Sequence, residues 1–220
     1  PELAVASTKA FTTQLTMLAL FMVWLLRHRS DIVGSEADPD IAAFMKALRR
    51  LPEDVESTLV MVQDAMDEYA ALIYDQEHLF LIGRGLDHVI AFEGSLKIQE
   101  IAYIHSDAYR AGELKHGTLS LITSGVPVIA MVTQAQLYDK MFNNIKEVKA
   151  RHALVMAITT IGEEHLGDVV DQVLYIPRTH PSLQPILAVI PLQLLAYYAG
   201  VFRGHDVDKP RHLAKSVTVE

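Results

Sequence analysis

Apolar residues recur at helical spacing through the first third of the chain, then give way to short, uniformly apolar runs. The opening pattern predicts a helix from about Thr8 to Arg29, with Ser7 as its N-cap and Arg27, His28 and Arg29 at the negative end of its dipole. Its nearly pure apolar run, Leu15 to Leu26, is only 12 residues long. A membrane span needs about 18 or more, so the run reads as a buried core helix. It does not read as a secretory signal, because two arginines and a histidine follow it in place of a small-residue cleavage site. Residues 30–38 form a polar connector. A short helix is then expected over about Asp40 to Leu51. Pro52 marks the start of another, running to about Tyr74, with Val55, Leu59, Val62, Met66, Ala70 and Ile73 on one face.

From His78 the period changes. Leu79-Phe80-Leu81-Ile82 followed by Gly83-Arg84-Gly85 reads as a buried strand and a tight turn into a helix, which is expected to run from about Asp87 to His105. Strands follow at Val126–Val132, Ala153–Thr159 and Val169–Ile176. Helices follow at Gln136–Arg151 and Leu183–Arg203. Such alternation implies right-handed crossovers and a parallel sheet covered on both faces. The tail from Gly204 to Glu220 has no clear period.

Composition narrows the function classes. The chain has 220 residues, half of them hydrophobic and 21% charged, which is a folding composition rather than a disordered one. Its net charge of −8 argues against a nucleic-acid or anionic-membrane partner. Cysteine is absent, which excludes disulfides, thiolate metal sites and a cysteine nucleophile within this stretch. It also fits a reducing, cytoplasmic setting.

Few motifs carry chemistry. Gly83-Arg84-Gly85 lacks the third glycine of a dinucleotide fingerprint, because position 88 is His. It reads as a tight turn, with an anion contact at the helix N-terminus still open. No His pair has metalloprotease spacing and no G-x-S-x-G elbow occurs. Glu93, Lys97 and Glu100 fall at i, i+4 and i+7, on one helix face. The same spacing describes either a surface charge ladder or a carboxylate base held beside a cation. Partial burial would raise such a carboxylate's pKa and the lysine would hold it back. His116, in the loop Gly112-Glu113-Leu114-Lys115-His116-Gly117, is a candidate acid or base among 10 histidines. Lys215 is the only ionisable residue between His212 and Glu220. It is either a frayed tail lysine or a desolvated amine able to reach a carbonyl carbon or a sugar oxygen.

Taken together, these residues resemble the C-terminal part of the isomerase domain of the glucosamine-6-phosphate synthases, within the sugar-isomerase (SIS) superfamily. The matching stretches are Val5 to Thr12, Glu93-Gly94-Ser95-Leu96-Lys97, Gly112 to Gly117, Pro191 to Tyr197, Asp206-Val207-Asp208 and the closing Leu213 to Glu220. The resemblance implies an α/β fold: a three-layer α/β/α SIS-type domain with a five-stranded parallel sheet, preceded by a helical segment. Residues 1–75 would complete a first SIS subdomain, 76–203 would form the second, and 204–220 would be a tail reaching the active site. The strand that periodicity does not reveal would lie near Asp107 to Arg110.

The resemblance also implies roles. Fructose 6-phosphate would be ring-opened, aminated at C2 by glutamine-derived ammonia and isomerised to glucosamine 6-phosphate, with no cofactor and no metal. Glu100 would move the proton between C1 and C2, His116 would assist ring opening from this subunit or a neighbouring one, and Lys215 would engage the open sugar at C2. Glu93 and Lys97 would support the Glu100 face, and Val5 and Ser7 would contact the sugar. The implied partners are the first SIS subdomain, a glutaminase domain and a second copy in a homodimer. The sequence departs from the family at several points. The family's Ser-Gln-Ser-Gly phosphate loop has no counterpart here, where Thr133-Gln134-Ala135-Gln136 stands in the equivalent place. His212 replaces an Asn and Thr118 a Pro. This stretch alone is therefore expected to bind and turn over the sugar phosphate poorly. The competing reading is a non-catalytic SIS module that binds a phosphosugar for regulation or dimerisation.

Overall fold

Three runs of apolar residues dictate the centre of the molecule. In the computed structural model, which describes residues 4–29, 38–162 and 164–213, they become β1 (His78–Gly83), β3 (Pro127–Val132) and β4 (Leu154–Thr160), buried along nearly their whole length. With β2 (His105–Arg110) and β5 (Gln172–Ile176) they form one sheet in the order β2-β1-β3-β4-β5. Every pairing is parallel. Side chains alternate across the sheet. Leu79, Leu81, Ile129, Met131, Met156 and Ile158 face one core, and Phe80, Ile82, Val128, Ala130, Val155 and Ala157 face the other. The first core is roofed by α2 (Pro39–Ile73), α3 (Leu86–Lys97) and α5 (Gln184–Phe202), the second by α4 (Tyr138–Lys149). This is the expected α/β/α arrangement.

The differences from expectation lie at element ends and at one helix surface. The helix after β1 does not run to His105. It ends at Lys97, widens into a single π-helical turn at Ile98–Ala102, and stops where Tyr103 turns left-handed at φ 55°. The missing strand is β2, which begins at His105. It is a polar edge strand, His-Ser-Asp-Ala-Tyr-Arg, so no apolar run announced it. The two helices expected on either side of Pro52 are one helix of 35 residues. An interior proline costs a helix about 3 kcal/mol. Here a buried stripe through Leu51, Thr58, Val62, Met66, Tyr69 and Ile73 holds both sides to the core and outweighs it. Asp38 caps this helix by accepting from the Asp40 amide at 2.8 Å.

The opening helix, α1 (Lys9–His28), is not the buried core helix that its apolar run suggested: among its residues only Ala19 and Leu26 are buried. Leu18, Phe21, Met22 and Trp24 stand exposed. Ser7 does not cap it. The cap position is Thr8, whose backbone is already helical at φ −97° and ψ −76°, and no side chain accepts there. The 12-residue run also understated its length. By length and composition alone, both α1 (20 residues) and α5 (19 residues) are long and apolar enough to cross a bilayer. For α5 the explanation is burial, since most of its residues lie inside the first core.

α5 and α3 approach each other closely at Gly94. A Cβ at that position would lie 2.9 Å from the Cβ of the fully buried Leu192. Gly94→Ala removes a helix-weakening glycine, worth about 1 kcal/mol, but overpacks the interface by about 1–3 kcal/mol. A net loss of up to about 2 kcal/mol is expected in urea unfolding. Stability equal to or above that of the parent would show that Leu192 yields freely.

Candidate functional site

The end of α3 carries a buried cation. The side chain of Lys97 is 2% exposed, and its ammonium lies 3.7 Å from Glu93 Oε1 and 2.5 Å from Glu100 Oε2. A charge cannot leave water without partners, and these two carboxylates supply them. Glu93 sits one α-turn earlier and Glu100 in the π turn, so both reach the same nitrogen. Their side chains remain 16% and 22% exposed, which leaves an approach from solvent. The charge ladder read from the spacing is thus a compact triad and not a solvated stripe. Burial raises the pKa of Glu93. The Lys97 charge and hydrogen bond pull it back, and the negative charge of Glu100 adds to the rise.

A polar staple, invisible to periodicity, holds this turn against β2. The Ser95 and Ser106 hydroxyls are 2.9 Å apart, and Ser106 Oγ donates to the Ser95 carbonyl at 3.0 Å. The Gln99 side chain donates to the Ser106 carbonyl. On the other side, Gly200 lets α5 pass close to the turn: a Cβ there would lie 3.0 Å from the Ile101 carbonyl oxygen. π turns concentrate at functional sites because they re-aim side chains within a helix.

Other candidates fall elsewhere. Val5 donates its amide to the Asp208 carbonyl at 3.1 Å, so the opening loop rests on the stem of the tail. Ser7 is half-buried next to it. His116 ends a 3-10 turn, Ala111–His116, and is well exposed. Its ring nitrogen lies 3.9 Å from the Glu113 carboxylate. That turn packs through Ala111 and Leu114 into the second core, whereas the Lys97 turn packs through Ile98 and Ile101 into the first. Within one chain, His116 and Glu100 therefore belong to opposite faces of the sheet. Lys215 lies outside the described residues.

The turn after β1 has its own buried carboxyl group. Asp87, 3% exposed, accepts from the Thr133 amide at 2.8 Å and the Thr133 hydroxyl at 2.5 Å. Gln134 donates to the Arg84 carbonyl at 2.6 Å. Burial raises the Asp87 pKa, and the bonds from Thr133 and Gln134 hold it back. The Thr133 amide and hydroxyl and the Gln134 side-chain amide are thus engaged within the protein at this switch point. Among the described residues no group of three or more His, Cys, Asp or Glu side chains is arranged to hold a metal ion.

This geometry can be set beside known proteins. The SIS domain family matches residues 72–203, well over half of the chain. The chain belongs to the SIS domain family. Across all 220 residues it is 50% identical to glutamine–fructose-6-phosphate aminotransferase [isomerizing] of Symbiobacterium thermophilum, of which it covers 35%. It is 43% identical to the protein of that name from Methanosarcina acetivorans, again covering 35%. The chain thus spans about a third of the length of these curated relatives and is homologous to that part of them. A solved structure, the C-terminal domain of glucosamine-fructose-6-phosphate aminotransferase from Francisella tularensis, superposes with a TM-score of 0.83 at 36% identity. The superposition covers 94% of this chain and 57% of that one. A glucosamine-6-phosphate deaminase from Thermotoga maritima shares the fold, with a TM-score of 0.68 at 24% identity over 98% of this chain and 58% of its own.

The triad of this SIS domain gives a pH-dependent expectation. With its folded-state pKa above the ordinary glutamate value of about 4.3, Glu93 contributes stability that is full below that value. The contribution is lost as pH rises through the folded-state pKa. Lys97→Met removes the cation between two carboxylates. It is expected to cost about 3 kcal/mol or more, to raise the Glu93 pKa further, and to carry the loss of stability to higher pH. Carboxyl-carbon NMR titration and denaturation across the pH range measure this. An unchanged Glu93 titration would show that Lys97 does not govern the site.

Proposed function

We propose that this region performs the ketose–aldose isomerisation of an isomerising glutamine–fructose-6-phosphate aminotransferase. The substrate would be fructose 6-phosphate, the nitrogen source ammonia released from glutamine, and the product glucosamine 6-phosphate. The observation that carries this reading is the partly exposed Glu100 carboxylate on a buried lysine. It sits in a chain half identical, over its whole length, to such aminotransferases.

In this reading Glu100 takes a proton from C1 of the C2 imine and returns it at C2, while the imine nitrogen gains a proton and the C1 hydroxyl loses one, so that C1 becomes the aldehyde and C2 carries the amine. Lys97 holds the Glu100 carboxylate in place through their ion pair, and Glu93 faces the same ammonium from the preceding turn. Val5 and Ser7 contact the sugar from the opening loop. Lys215 engages C2 as an amine. His116 assists ring opening, and its place on the far face of the sheet favours delivery to the site of a second copy in a homodimer. No cofactor is required, because both the amination and the proton shift run on acid–base chemistry alone.

Residues 1–75 then complete a first SIS subdomain, which would cover the open apolar face of α1. Residues 76–203 form the second subdomain, and 204–220 the tail. The phosphate would be held by that first subdomain, the ammonia supplied by a glutaminase domain, and the site of action would be the cytoplasm. A second reading is a non-catalytic SIS module that serves regulation or dimerisation; the one observation on its side is that Asp87 occupies the Thr133 donors of this subdomain's own switch-point loop.

Lys215→Arg separates the two readings. In a polypeptide of the relatives' length carrying this region, arginine keeps the charge but stays protonated. Sugar isomerisation is expected to fall by at least about 10²-fold, or about 2.7 kcal/mol of barrier, with folding and glutamine hydrolysis retained. Near-parent synthesis of glucosamine 6-phosphate would make Lys215 a tail anchor and remove it from the chemistry.

A further inference from the structure

The chain leaves α5 and folds back across the domain in a fixed path. Gly204, left-handed at φ 73°, reverses it. Arg203 holds the reversal by donating to the carbonyls of Tyr74, Gln76 and Tyr103. His205 donates its amide to the Gly200 carbonyl at 3.0 Å. The Asp206 carboxylate accepts from the Asp208 and Lys209 amides, each at 3.1 Å. Asp208 takes the Val5 amide. The path then reaches Tyr103. The Arg211 amide donates to the Tyr103 phenol oxygen at 2.7 Å, and its guanidinium carbon lies 4.2 Å from the ring centroid. The His205 ring lies 4.3 Å from the same centroid.

Tyr103 is also the residue that ends the π turn, three positions after Glu100. It does so in a left-handed conformation that costs a non-glycine residue about 1–2 kcal/mol. Such strain persists only where surrounding contacts over-determine it. Here the contacts are a backbone amide, a guanidinium and an imidazole, all contributed by the stem of the tail. One side chain thus joins the turn carrying Glu100 to the segment from which the tail departs. Lys215 follows Arg211 by four residues, a spacer of at most about 14 Å. Anchoring the stem lowers the entropic cost of bringing the groups that follow it to a reacting centre.

We propose that Tyr103 is a positioning residue that fixes the stem of the tail, through Arg211 and His205, beside the Glu100 turn and the Val5 loop, and so sets the rate of the step that Lys215 performs. The proposal rests on the catalytic reading of Glu100 and Lys215. The test uses a polypeptide of the relatives' length carrying Tyr103→Leu, Tyr103→Phe or, as a control, Lys215→Arg. Amide hydrogen exchange at Arg211, the unfolding midpoint, and kcat and KM for fructose 6-phosphate are measured on each.

Tyr103→Leu is expected to lose protection at Arg211 and to lower kcat by about 10- to 100-fold, with KM nearly unchanged and a lowered midpoint, because the contacts that hold the left-handed turn are lost. Tyr103→Phe keeps the ring contacts and loses only the acceptor, so it should recover part of the rate. If the leucine variant fails to fold, the phenylalanine variant decides alone, through a smaller drop in kcat together with lost Arg211 protection. Lost protection with parent-like kcat overturns the positioning role, as does protection that survives Tyr103→Leu. A fully active Lys215→Arg control would sink the underlying reading of the tail, and the role of Tyr103 with it.

Discussion

The ammonium of Lys97 has to be neutralised out of reach of water, and the local architecture answers to that need. An isolated buried charge costs several kcal/mol even after relaxation. Two carboxylates therefore have to converge on one nitrogen from the same helix. An α-turn supplies Glu93. The acid on the far side is Glu100, brought round by a π turn that also ends the helix. α5 seals this end of the helix through two glycines, Gly94 and Gly200, where a side chain would collide with Leu192 or with the Ile101 carbonyl. The chemistry proposed for Glu100 is a consequence of the same arrangement: a carboxylate that is fixed, partly desolvated and still reachable from solvent.

The sheet was readable in the sequence wherever burial was complete. β1, β3 and β4 are apolar from end to end because both faces of a parallel sheet are covered, and such runs have no other economical explanation. β2 was not readable from periodicity because it is an edge strand with polar side chains. It was also overrun by the preceding helical pattern, which ends for a reason that spacing does not record, the left-handed turn at Tyr103. Pro52 misled in the opposite direction, since local propensity pointed to a break where tertiary burial keeps one helix. For α1 the pattern was read as a core helix, yet much of its apolar surface has no cover among the described residues.

Within the site, Glu93, Lys97 and Glu100 were legible because helical spacing is a local signal. The Ser95–Ser106–Gln99 staple, the Asp87–Thr133 pair and the Tyr103–Arg211 contact were not. Each joins polar residues far apart in sequence, or across a change of element, and no period marks such a pairing. The division of His116 from Glu100 between the two faces of the sheet was equally hidden. It arises because β2 carries the chain from the first core to the second.

Everything proposed for this site turns on Glu100 carrying the proton that converts ketose into aldose. The direct measurement follows deuterium at C1 of fructose 6-phosphate by NMR, with ammonia supplied by glutamine. It compares a polypeptide of the relatives' length with its Glu100→Gln variant. The substitution is expected to slow loss of deuterium from C1 by at least about 10²-fold while the variant still binds the sugar. Loss of deuterium at the parent rate from the Glu100→Gln variant would contradict this role and move the proton transfer to another group.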